Sequence, residues 1–198
     1  MNANPARLPG RQRPGQRQGN RSVRGLRMME GKMAAKQSRA AKLPLVEDLV
    51  ITRVFDAPRT AVWKAWTDPK RCVRWWGPEG FTAPACEIDL RVGGKYLFCM
   101  RSPEGKDYWS TGVYRDIVPM ERIVLTDSFS DEKGNVVPAS HYGMLEDWPL
   151  ELLVTVTFEE QGGKTKMILR HAGIPSGTLG DCEAGWNGSF DKLAESLK

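Results

Sequence analysis

From Val46 onward the hydrophobic residues follow two rhythms, and the places where one gives way to the other mark out the elements. Val46 to Phe55 is rich in β-branched residues and reads as a first strand. Asp56 then stands as the N-cap of a helix whose first turn contains Pro58, with Val62, Trp63 and Trp66 at helical spacing. Asp68-Pro69 restarts a second short helix carrying Val73 and Trp76. From Phe81 the period becomes two: Cys86, Ile88 and Leu90 share one face, and Glu87 and Asp89 take the other. Gly93-Gly94 turns into a strand from Lys95 to Arg101, and Pro103 to Lys106 turns into the next, from Tyr108 to Val118. A strand from Arg122 to Phe129 follows, then a polar, irregular stretch from Ser130 to Pro149 with Gly134-Asn135 at its tip. Leu152, Val154, Val156 and Phe158 alternate with polar or outward residues, and Gly162-Gly163 folds that strand onto Lys164 to His171. After Ser176-Gly177-Thr178, the residues Leu179, Cys182, Trp186, Phe190, Leu193 and Leu197 recur at steps of three and four, an apolar stripe along about five helical turns.

These elements predict an α+β arrangement: six or seven antiparallel strands curling around a long C-terminal helix, with two short helices after the first strand. A curved sheet cannot close fully on a straight helix, so the arrangement predicts an internal cavity. Trp75-Trp76-Gly77-Pro78, two indoles ended by a Gly-Pro break, is placed to line its mouth or to cap the core.

Several of these segments, in this order, carry a resemblance. They are Val50 to Pro58, Val62 to Pro69, the Trp75-Trp76-Gly77-Pro78 run, Cys86 to Arg91 with Val92-Gly93-Gly94, and Glu183-Ala184-Gly185-Trp186 leading into Phe190 to Ala194. From about Val46 to Leu197 the chain resembles the family named for the activator of the heat-shock protein 90 ATPase, within the START-like (SRPBCC, Bet v 1-like) superfamily. The resemblance implies the helix-grip fold. It leaves function open, because binders, cyclases, lipid carriers and cochaperone domains share that scaffold.

Strand parity selects the side chains expected to face the cavity. Tyr96, Phe98 and Met100 share a face, Tyr114 matches them on the next strand, and Met167 and His171 point inward with Leu169. With Trp76, Phe81, Phe129 and Trp186 they form a mostly aromatic wall with a few polar handles, the usual makeup of a small-molecule site.

Composition divides the chain. Residues 1–44 hold eleven of its 29 basic side chains and one of its 24 acidic ones, leaving 18 basic against 23 acidic beyond. Between Met1 and Gly25 there are three Pro, four Gly and six Arg with almost nothing to bury, so 1–44 is expected to be a disordered basic tail and 45–198 one START-like ligand-binding domain. Nucleic-acid binding by the tail is disfavoured, because no aromatic side chain is interleaved for base stacking. No apolar run suits a secretory signal or a bilayer span. Cys72, Cys86, Cys99 and Cys182 form no CxxC pair and read as core residues of a cytoplasmic protein.

Catalytic signals are sparse. His171 is the one histidine placed to act as a buried base or a ligand's hydrogen-bond partner; His141 falls in the polar connection. Glu87 with Asp89, and Asp127, are carboxylates able to do acid-base work, and no nucleophile stands in a recognisable constellation. The expected function is binding of an unidentified hydrophobic or aromatic small molecule, without metal or tightly held cofactor, by a monomer or weak dimer. The alternatives are a cyclase- or aromatase-like enzyme using the same cavity and a module that activates a chaperone ATPase.

Overall fold

The computed structural model describes residues 46–144 and 146–198; the expected tail at 1–44 lies outside them. Seven antiparallel strands form one curved sheet: β1 (Val46–Phe55), β2 (Thr82–Ile88), β3 (Lys95–Arg101), β4 (Asp107–Val118), β5 (Arg122–Ser130), β6 (Leu152–Gln161) and β7 (Lys164–Pro175). Their order is β1-β7-β6-β5-β4-β3-β2, so every neighbour but one is a sequential hairpin partner, and the exception joins the first strand to the last. Among the described residues three α-helices are added: α1 (Arg59–Thr67), α2 (Pro69–Cys72) and α3 (Leu179–Ser196). This is the helix-grip arrangement.

The alternation read from the sequence maps onto burial in the later strands. Leu152, Val154, Val156 and Phe158 of β6 and Met167, Leu169 and His171 of β7 are buried. The stripe of α3 turns Phe190 and Leu193 fully inward. Around them Trp63, Trp66, Trp75 and Phe158 make a run of edge-on and tilted ring contacts; Trp66 lies 4.9 Å from Trp75 and 6.4 Å from Phe158, centroid to centroid.

Three local expectations are corrected. Asp56 does not cap α1; Pro58 does, in an extended conformation, its carbonyl accepting from the amides of Ala61 (2.8 Å) and Val62 (3.3 Å). A proline's fixed φ prepares the chain for a helix without side-chain help. Asp68 does cap α2, accepting from the Lys70 amide at 2.9 Å, but that helix ends at Cys72, leaving exposed Val73 and both indoles in the turns beyond. There Trp75 is fully buried and donates its indole N–H to the Ala65 carbonyl at 2.9 Å. Leu90 does not continue the inner face of β2. The strand stops at Ile88, the chain turns tightly through Arg91 N to Asp89 O (2.8 Å) and Gly94 N to Arg91 O (2.8 Å), and Leu90 is left 39 % exposed.

One glycine shapes the inner face of the sheet. Gly112 of β4 pairs with Tyr96 of β3, and a Cβ there would stand 1.8 Å from the Thr126 carbonyl oxygen and 2.7 Å from the Tyr96 ring. Only glycine leaves the Tyr96 ring free to cross β4 and reach β5.

Candidate functional site

At one end of the concave face the sheet and α3 diverge, leaving a cavity of about 660 Å³. Four strands, α3 and the turn after α2 contribute, β4 through Ser110. Cys182, Trp186 and Ser189 come from α3, Met100 from β3, Asp127 to Phe129 from β5 and His171 from β7, and the Trp76-Gly77-Pro78 turn lies across the gap. The connection between β5 and β6 closes it with Gly143, Met144 and Trp148. That connection is held by Tyr142, whose hydroxyl donates to the Ser130 carbonyl (2.6 Å) and accepts from the Trp109 amide (3.0 Å).

The turn is fixed from α3 as well. The Lys192 ammonium lies 2.8 Å from the Phe81 carbonyl oxygen and 3.0 Å from that of Gly77, with the Trp76 and Pro78 carbonyls at 3.4 and 3.5 Å. Burial pushes this ammonium below its ordinary pKa, and the carbonyl collar offsets part of that cost. The Trp76 ring then stands edge-on to Phe98 at 4.5 Å and to Trp186 at 5.6 Å.

A polar chain runs through the aromatic wall. The Tyr96 hydroxyl reaches Asp127 Oδ1 at 2.9 Å and the Thr126 carbonyl oxygen at 3.1 Å. Burial, and then the Asp127 charge, hold the Tyr96 hydroxyl well above the ordinary phenol range, so it acts as a donor. Asp127 Oδ2 lies 3.5 Å from His171 Nε2, and His171 Nδ1 accepts the Trp186 indole N–H at 3.2 Å. An indole nitrogen only donates, so the neutral imidazole must carry its proton on Nε2. Burial pushes His171 below its usual value against the opposing pull of Asp127, and a second proton on Nδ1 would face the indole N–H. His171 is thus a neutral donor whose Nε2 has no hydrogen-bond partner among the described residues. The Cys182 thiol, also in the wall, is pushed up to about 11 by burial and by the charge of Asp181.

Of the ten side chains expected to line the cavity, five stand in this wall: Trp76, Met100, Phe129, His171 and Trp186. Tyr96, Phe98, Tyr114 and Met167 are buried in the core instead. Phe81 sits outside the wall, its ring 6.2 Å from Tyr108. The reason is that the cavity occupies only one end of the concave face. Toward the other end Trp63, Trp66, Phe158 and Phe190 fill the space, so side chains of one parity divide between core and void. Sequence reasoning marks Asp127 only as an acid-base carboxylate. Its parity with Phe129, two residues on, is the signal in the sequence that places it at the cavity. Trp148 and Met144, in an aperiodic connection, give none.

Residues 56–198 match the family described as Activator of Hsp90 ATPase homolog 1-like protein. A crystallised protein from Chromobacterium violaceum is 29% identical, with 76% of this chain and 96% of that one covered and a TM-score of 0.64. The AHSA1 protein from Silicibacter pomeroyi is 26% identical over 76% of this chain and 97% of its own, with a TM-score of 0.63. A protein from Arthrobacter aurescens, 23% identical, shares the fold at a TM-score of 0.64 over 79% of this chain and 92% of its own. No curated protein matches the chain. Among the described residues, no helix is long and apolar enough to cross a membrane.

Proposed function

The chain belongs to the Activator of Hsp90 ATPase homolog 1-like family, and from that scaffold we propose that it binds a hydrophobic, ring-bearing small molecule in the cavity between α3 and the sheet. One observation carries the reading: a void of about 660 Å³ walled by Trp76, Phe129, Trp148 and Trp186, with Asp127 and His171 among its few polar groups. Small-molecule sites typically measure about 300–1,000 Å³ and combine an apolar lining with a few fixed polar contacts. The void is also supported from outside, by the Lys192 collar and the Tyr142 anchor, so its walls are largely formed before any ligand enters. Such preorganisation lowers the ordering cost of binding.

The test uses N-phenyl-1-naphthylamine, a neutral fluorophore that brightens in apolar surroundings. Its emission should rise and saturate near one equivalent, and it should raise the melting temperature. Cys182→Trp, which fills the void from α3, should remove both effects while the protein still melts cooperatively. An unsaturable signal, or one indifferent to Cys182→Trp, would defeat the reading. The family's description supplies a second reading, contact with a chaperone ATPase. Stimulation of Hsp90 ATPase activity that persists in Cys182→Trp would favour that reading instead.

A further inference from the structure

Among the described residues, the charges lining the cavity are all of one sign. Asp127 faces it from β5 and Asp181 from the first turn of α3, and among the described residues that line it there is no lysine or arginine. Neither carboxylate forms an ion pair with a lysine or arginine of the described residues. The cation nearest along α3, Lys192, is turned onto the backbone carbonyls of the Trp76–Phe81 turn. His171 cannot supply the missing charge, because its Nδ1 already accepts the Trp186 N–H and its ring is 4 % exposed. Its Nε2 proton, with no hydrogen-bond partner among the described residues, faces Asp127 Oδ2 across 3.5 Å, longer than a hydrogen bond. Asp127 is therefore held on one oxygen by Tyr96 and left unclosed on the other, an acceptor set into an aromatic wall.

We propose that the ligand of this cavity is a cationic amphiphile, a protonated amine on an apolar ring-bearing body, with the ammonium against Asp127 Oδ2 and the faces of Trp76 and Trp186. The inference rests on the small-molecule reading above and names the class of molecule that reading leaves open. A carboxylate and indole faces both attract a cation, the first by charge and the second through the ring quadrupole, and both attractions grow in a partly dehydrated site. Asp181, at the rim, adds the same sign on the way in. An anion of equal shape meets repulsion from both aspartates. A neutral hydroxyl would gain one or two hydrogen bonds and none of the charge.

Three compounds with one ring system separate these cases: 1-naphthylmethylamine, 1-naphthylmethanol and 1-naphthylacetate, titrated calorimetrically into the full chain at pH 7 and low salt. The amine should bind about tenfold or more tightly than the alcohol, and the acetate most weakly. Asp127→Asn should erase the amine's advantage, bringing the amine-to-alcohol affinity ratio close to one. Asp181→Asn, at an exposed position, should reduce the advantage by a smaller factor and serves if Asp127→Asn fails to fold. If the alcohol or the acetate binds as tightly as the amine, or if the amine-to-alcohol ratio survives both substitutions, the ligand is not cationic and the cavity reading stands alone. If none of the three binds, the cavity reading falls and takes this inference with it.

Discussion

Lys192→Met removes one ammonium and keeps most of the aliphatic stem, so it isolates the collar that holds the Trp76 turn. Lys192 has three N–H bonds for four carbonyls: Phe81 O at 2.8 Å and Gly77 O at 3.0 Å take the well-formed ones, and Trp76 O and Pro78 O share the third at 3.4 and 3.5 Å. Hydrogen bonds to a charged group contribute about 1.5–3 kcal/mol each when buried. The side chain is only half-buried and water can take up part of what is lost, so roughly 2 kcal/mol in total is the appropriate figure. For a domain of this size that corresponds to a melting temperature lower by about 4–8 °C. Differential scanning calorimetry of both proteins in one buffer measures it directly, with a urea titration to confirm an unchanged m-value. A shift of less than about 1 °C would mean that the carbonyls are equally well satisfied by water and that Lys192 does not fix the turn.

Two glycines one helical turn apart in α3 should respond in opposite directions. A Cβ on Gly188 would lie 3.0 Å from the Glu79 backbone nitrogen, so Gly188→Ala must push the turn away and should destabilise by about 1–3 kcal/mol. A Cβ on Gly185 meets nothing nearer than Pro78 Cγ at 3.8 Å, so Gly185→Ala should stabilise by about 0.5–1 kcal/mol through helix propensity; urea midpoints that move together would refute the contact geometry. His171 gives a pH signature. Its folded pKa is depressed, chiefly by burial, so the unfolded chain binds the extra proton first as pH falls. The stabilisation is fully present above the ordinary histidine value near 6.5 and is lost as pH falls toward and through the folded value. In His171→Gln the urea midpoint should decline less between pH 7 and pH 5, and an identical decline would show that other groups carry the acid loss.

The fold was legible because its signals are local and periodic. β1 and β3 run over the residues the pattern marked, and the stripe from Leu179 to Leu197 is the packed face of α3. β7 runs past His171 to Pro175 because its far end finds a partner in Val46, a tertiary contact that no local pattern encodes. The site was only half legible for a related reason. Parity distinguishes inner from outer face, yet whether an inner side chain meets another side chain or a void depends on where the sheet departs from α3. Tyr96 shows the difference. It faces inward as parity requires, but the missing Cβ of Gly112 lets its ring cross β4, so its hydroxyl braces Asp127 from behind the wall. The two adjacent indoles divide likewise: Trp75 is fixed in the core by Ala65 and Trp76 is left at the cavity. No spacing in the sequence assigns which indole goes where.

The pairing of the first strand with the last has a consequence for how the chain is made. β2 through β7 can zip hairpin by hairpin as they leave the ribosome, but Phe55 must wait for Thr165 and Val46 for Pro175. At about 5–20 residues per second a separation of roughly 110 residues means several seconds or more of translation before β1 meets its neighbour. Closure of this long loop is the kind of non-local step that slows folding. The earliest strand of the domain to be synthesised is therefore among the last to be ordered.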